Sequence, residues 1–151
     1  IDLGNVVSER TARGELAAAH TAFDELHRML VVMKHPVLSA TVRNHEALFA
    51  LLRGLPIDAL RLVSAPCPAP AGRDAEWERQ LIEALATRAL GNVSAGAKLL
   101  SRIELTAGVD GYARYSQMAR YARETLAATP SSPAARLYFG AARARRVAVA
   151  A

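Results

Sequence analysis

The chain has 151 residues, of which 52% are apolar and 22% charged, and its net charge is +5 at pH 7. This length and composition fit one globular domain, or two small halves with a shared core, and they exclude an intrinsically disordered chain. Because alanine, leucine and arginine are abundant and aromatic residues make up only 5%, we predict an all-α fold. We expect antiparallel helical hairpins that form a helical bundle or a short repeat-like array.

Seven helices are predicted from apolar residues spaced three or four apart and from glycine and proline at the ends of these stretches. They cover about residues 8–34, 39–54, 57–63, 74–90, 94–105, 112–128 and 133–147. The second is apolar on more than one side, so we expect it at the centre of the fold. In the fifth, four apolar residues are expected to face inward: Leu99, Leu100, Ile103 and Leu105. Asp74 and Ser94 are expected to cap the fourth and fifth helices, and a tight turn is expected over 106–111.

A proline-rich segment, SAPCPAPAGRD at residues 64–74, divides the chain into parts 1–63 and 75–151, which we expect to share one core. The single cysteine, Cys67, excludes an internal disulfide and suits a reducing compartment. No secretory signal opens the sequence, so we expect a cytoplasmic location. The longest apolar run, residues 29–33, is too short to span a membrane.

The stretches YARETLAATP (121–130) and PAARLYFGAA (133–142) form a helix end with Pro130 and a small-residue helix start with Gly140. From about residue 99 to 145 the chain resembles the tetratricopeptide repeat family, over about one and a half repeats. The resemblance implies stacked hairpins of a protein-binding scaffold. The sequence departs from the family pattern 34 residues before Gly140, where Thr106 stands in place of the glycine, and Met118 and Thr125 replace expected alanines. A non-repeat bundle with a similar hairpin accounts for the same residues and is the interpretation that we prefer.

Three polar residues of the first helix share one face at positions i, i+4 and i+7: His20, Asp24 and His27. Imidazole and carboxylate groups bind Zn²⁺ and similar cations, so this set is a candidate metal site. A surface hydrogen bond between histidine and carboxylate is the simpler interpretation. The sequence contains no nucleophile elbow, phosphate-binding loop or dinucleotide motif. We therefore expect a protein that is not an enzyme and needs no cofactor.

Residues 98–151 contain nine basic and three acidic side chains, and four tyrosines lie in the same range. The tyrosines could pack inward under solvent-facing arginines, or line a groove for an acidic peptide, or stack on nucleic-acid bases. We expect a non-catalytic module, such as a scaffold or chaperone-like adaptor, that binds a partner helix or peptide, which an acidic sequence would suit. The candidate partner-binding residues are Arg114, Tyr115, Arg123, Tyr138 and Arg143.

Two alternative functions follow from the same pattern. The basic face suits a nucleic-acid-associated or regulatory domain. A cavity between helices would instead suit a sensor of small ligands. The apolar end RRVAVAA, residues 145–151, offers a contact for a homo-oligomer.

Overall fold

A computed structural model describes Arg10 and residues 15–33, 39–67 and 70–126. The regular structure of these parts is helical throughout and contains no strand. Within the described ranges, six α-helices follow one another: α1 (Leu16–Met33), α2 (Ser39–Leu52), α3 (Pro56–Ser64), α4 (Arg73–Ala89), α5 (Val93–Val109) and α6 (Ala113–Leu126). The all-α prediction is confirmed. The predicted seventh helix, over 133–147, lies outside the described residues.

None of the described helices combines the length and the apolar content that a crossing of the lipid bilayer needs.

Short turns connect the last three helices as antiparallel hairpins. Gly91, between α4 and α5, has a φ of 91°, and Gly111, between α5 and α6, has a φ of 84°. These left-handed conformations suit glycine because it has no Cβ, and they let the chain reverse within two or three residues. Sequential helices are therefore neighbours in space: α4 packs on α5, and α5 packs on α6.

Three predicted helix ends were wrong. The N-cap of α4 is Gly72, and Asp74 lies in the first turn, where its charge favours the helix dipole. The N-cap of α5 is Asn92, whose side chain accepts a hydrogen bond from the backbone N–H of Ala95, so Ser94 already lies inside the helix. Helix α5 also runs on to Val109 before the turn begins. Asparagine is a favoured N-cap residue, as serine is. The local sequence alone therefore did not show whether Asn92 or Ser94 would cap the helix.

The main core is one cluster of buried apolar side chains from α2 to α6. Leu51 and Val63, before the proline-rich segment, belong to the same cluster as Ile82, Leu100 and Ile103, after it. Helix α2 is central, as predicted, because nine of its fourteen residues are buried. Helix α1 is different. It packs mainly on α2, through a separate small cluster.

Polar side chains also tie α2 to α4 inside the core. Asn44 is fully buried, and its Nδ2 atom donates to the backbone oxygen of Ala75 at 2.7 Å and to Oε2 of Glu78 at 3.3 Å. Beside it, Arg43 donates from Nη1 to the backbone oxygen of Ala65 at 2.9 Å. The bonds of Asn44 compensate the burial of its amide and fix the position of α4 against α2, whereas the bond of Arg43 ties α2 to the end of α3.

Candidate interaction groove

A groove of about 430 Å³ runs between α5 and α6 and opens to solvent. Helix α5 lines it with Ser101, Glu104, Leu105, Gly108 and Val109, and α6 lines it with Ser116, Arg120 and Arg123. The inner side of the same hairpin contributes Leu100, Ile103 and Ala107 to the main core. The groove therefore lies on a second face of the hairpin.

The two helices come close together near Gly108. The hydroxyl of Ser116 donates to the backbone oxygen of Glu104 at 2.6 Å, which joins α6 to α5. A Cβ atom on Gly108 would lie 3.2 Å from Oγ of Ser116, so the absence of a side chain helps to allow this approach. Because Gly108 and Ser116 are small, the larger side chains of the two helices lie at the edge of the groove.

Two aliphatic side chains of the groove are mostly in water. Leu105 is 69% exposed and Val109 is 81% exposed. They are four residues apart on one helix, which places them side by side on one face. Single exposed apolar residues are ordinary, but a pair in a concave surface is typical of a contact site.

The prediction that Leu105 faces inward was wrong. The apolar residues of α5 lie on two faces, and Leu100 and Ile103 fill the inner one. With α4 and α6 packed on that inner face, Leu105 is left on the outer one.

Charged side chains border the aliphatic pair. The carboxylate of Glu104 pairs with Nε of Arg120 at 2.8 Å and with Nη2 of Arg123 at 2.9 Å. The hydrogen bond from Arg120, reinforced by the charge of Arg123, lowers the pKa of Glu104 below its usual value. One carboxylate thus holds two guanidinium groups in place, and the border of the groove keeps one unit of positive charge.

The predicted partner-binding residues lie in different places. Arg123 lines the groove. Tyr115 is 6% exposed and belongs to the main core, where burial and then the nearby charge of Glu78 raise its pKa. Arg114 is exposed, with its guanidinium carbon 5.6 Å from the centre of the Tyr115 ring. Tyr115 and Arg123 therefore do not share a surface.

The other two predicted partner-binding residues, Tyr138 and Arg143, lie outside the described residues. Apart from Arg123, the residues that line the groove are not among the predicted partner-binding residues; those with aliphatic or charged side chains are Glu104, Leu105, Val109 and Arg120. The one available signal was the four-residue spacing of Leu105 and Val109, which together with Arg120 and Arg123 matches an amphipathic contact face.

The three candidate metal ligands do not form one group. Nδ1 of His20 lies 3.1 Å from Oδ2 of Asp24, as the simpler interpretation expects. Nδ1 of His27 lies instead 3.7 Å from Oε1 of Glu46 on α2. Across the ranges that the structure describes, no three His, Cys, Asp or Glu side chains form a group that could hold a metal ion.

Comparison with known proteins adds no relative. No protein-family model matches the chain, and neither the curated proteins nor the solved structures contain a significant match to it. The chemistry of the groove is therefore the main guide to function.

Proposed function

We propose that this protein is a non-catalytic protein-interaction module that binds a helix or peptide of a partner in the groove between α5 and α6. One observation carries the proposal: two exposed aliphatic residues, Leu105 and Val109, stand in a concave surface beside two guanidinium groups that Glu104 orients. The α5–α6 hairpin would serve as a repeat-like binding unit, as the tetratricopeptide resemblance implies.

Apolar contact would supply most of the affinity. Full burial of one leucine or valine side chain contributes about 1.5–3 kcal/mol. An amphipathic helix could lay apolar residues spaced three or four apart against Leu105 and Val109, which have the same spacing. The entropy lost on association opposes this gain. We therefore expect an affinity that depends strongly on these two residues.

The charges at the border favour an acidic partner. Arg120 and Arg123 are 62% and 45% exposed, so both remain accessible while they contact Glu104. A carboxylate of the partner could accept from their outer N–H groups in an oriented, charge-assisted bond. A nucleic acid binds through the neutralisation of several phosphates and gains little from aliphatic side chains, whereas a peptide can also bury Leu105 and Val109. This arrangement favours an acidic peptide over a nucleic acid.

The test is capture of partners from source lysate with tagged protein, using a groove variant and a matched control. The groove variant is Leu105→Gln with Val109→Gln. The control is Ile57→Gln with Val93→Gln, because these residues are 63% and 53% exposed but do not line the groove. Circular dichroism should show equal helix content and similar melting temperatures for both variants.

We expect a defined protein to bind the wild type and the control, to survive nuclease and high salt, and to be lost with the groove variant. Recovery that vanishes with nuclease or with salt would contradict the proposal and favour nucleic-acid binding. A partner that binds all three forms equally would show that the groove is not the site.

A further inference from the structure

Among the side chains that the structure describes, helix α1 packs on the rest of the molecule mainly through one small interface with α2. Three residues of α1, namely Ala19, Ala22 and Phe23, pack on Val42 and Phe49 of α2. The described residues of the main core cluster come from α2 to α6 and include none from α1. A helix held outside the main core in this way can leave while the core stays folded, as a unit of low local stability.

His45 lies where α1 covers α2. Its side chain is 4% exposed, and its ring meets that of Phe23 edge-on, with the ring centres 5.9 Å apart and the planes at 81°. Its Nδ1 atom is buried and has no hydrogen-bond partner among the residues that the structure describes. A proton added to this ring would place a positive charge in an apolar contact, which is costly.

The charged groups around His45 only partly offset that cost. Burial lowers the pKa of His45 below its usual value of 6.5, and the negative charge of Glu78 on α4 opposes this effect. On α2 itself, Arg43 is bonded to a backbone oxygen and Glu46 lies closest to His27.

The charged groups on the neighbouring helices also have contacts of their own. On α1, His20 and Asp24 contact each other. On α3, Asp58 and Arg61 form their own pair at 3.1 Å. On α4, the carboxylate of Glu78 accepts a hydrogen bond from Asn44. None of these contacts stabilises a charged His45 ring by a hydrogen bond to Nδ1.

We propose that α1 is an acid-sensitive arm, which detaches from α2 when His45 takes up a proton, while α2 to α6 stay folded. The released state exposes His45 to water and therefore binds more protons than the docked state. Docking must then weaken as the pH falls. Below pH 6.5 the ratio of released to docked α1 rises by up to about tenfold for each pH unit.

Hydrogen–deuterium exchange measured by mass spectrometry tests this proposal on the full chain. Exchange at about pH 7.5, 6.5 and 5.5 is corrected for the intrinsic rate and compared between peptides of α1 and peptides of α4 and α5. We expect α1 to lose up to about tenfold of its protection between pH 7.5 and 5.5, while α4 and α5 keep theirs. His45→Phe should abolish this pH dependence, and His20→Gln, at a half-exposed histidine, should preserve it.

Three results would overturn the proposal. The protection of α1 could stay constant with pH, or α1 and α4 could lose protection together, or the pH dependence could persist in His45→Phe. If His45→Phe does not fold, Phe23→Ala provides a second variant, which removes the ring that covers His45. It should leave α1 unprotected at every pH while α4 and α5 stay protected, and a protected α1 in this variant would also refute the proposal.

Discussion

Replacing Gly96 with alanine tests the packing of α4 against α5. Gly96 is buried in the first turns of α5. A Cβ atom there would lie 2.8 Å from Cβ of Arg88, 3.1 Å from the backbone oxygen of Ala84 and 3.2 Å from Cα of Arg88. These are backbone atoms or the first side-chain atom, so they cannot rotate away. The two helices would have to separate by several tenths of an ångström.

Two effects of opposite sign decide the outcome. Alanine in a helix interior is more favourable than glycine by about 0.5–1 kcal/mol. Overpacking in a well-packed interior costs about 1–3 kcal/mol. Because the clash at Gly96 involves backbone, we expect the second effect to win, with a net loss of about 1–2 kcal/mol. For a chain of this size this loss lowers the melting temperature by about 3–6 °C.

The measurement is urea and thermal unfolding followed by circular dichroism, with Gly108→Ala as the matched control. Gly108 lies in the same helix and gains the same propensity, but a Cβ atom there would meet, among the described residues of other helices, only Oγ and Cβ of Ser116 within 4 Å. We expect Gly96→Ala to be less stable than Gly108→Ala by at least about 1 kcal/mol. Equal stability of the two variants, or a more stable Gly96→Ala, would refute the close approach of α4 and α5.

Two further predictions concern the polar contacts. Asn44→Ala should lower the free energy of unfolding by about 1–3 kcal/mol, because it removes two hydrogen bonds of a fully buried side chain, to the backbone oxygen of Ala75 and to Glu78; a loss below about 0.5 kcal/mol in urea unfolding would contradict this. Glu104→Gln should make the protein slightly less stable at pH 7. The folded-state pKa of Glu104 is lowered, so its contribution is present above the ordinary value of 4.5 and is lost as the pH falls through the lower folded value. The difference in melting temperature between the wild type and this variant should therefore shrink as the pH falls below 4.5, and a difference that stays constant would show that the pairs with Arg120 and Arg123 are not its origin.

Local patterns in the sequence were sufficient for the fold class and for most helices. Helix propensity and the spacing of apolar residues act over a few neighbouring positions, and both are visible without any tertiary contact. Gly91 marked the end of α4 because a left-handed backbone conformation favours glycine wherever it occurs. Helix α2 was predicted to be central because apolar residues lie on more than one of its sides, and this pattern is also visible in the local sequence.

Tertiary packing decided which face of each helix is covered. Leu105 and Leu100 are both apolar residues of α5, yet one is 69% exposed and the other 0%, because α4 and α6 pack on one side only. Tyr115 faces the core for a similar reason. The pairing of Glu104 with Arg120 and Arg123 joins residues 16 and 19 positions apart. Spacing along one helix defines a stripe, but the position of the neighbouring helices determines whether that stripe becomes core, groove or solvent-exposed surface.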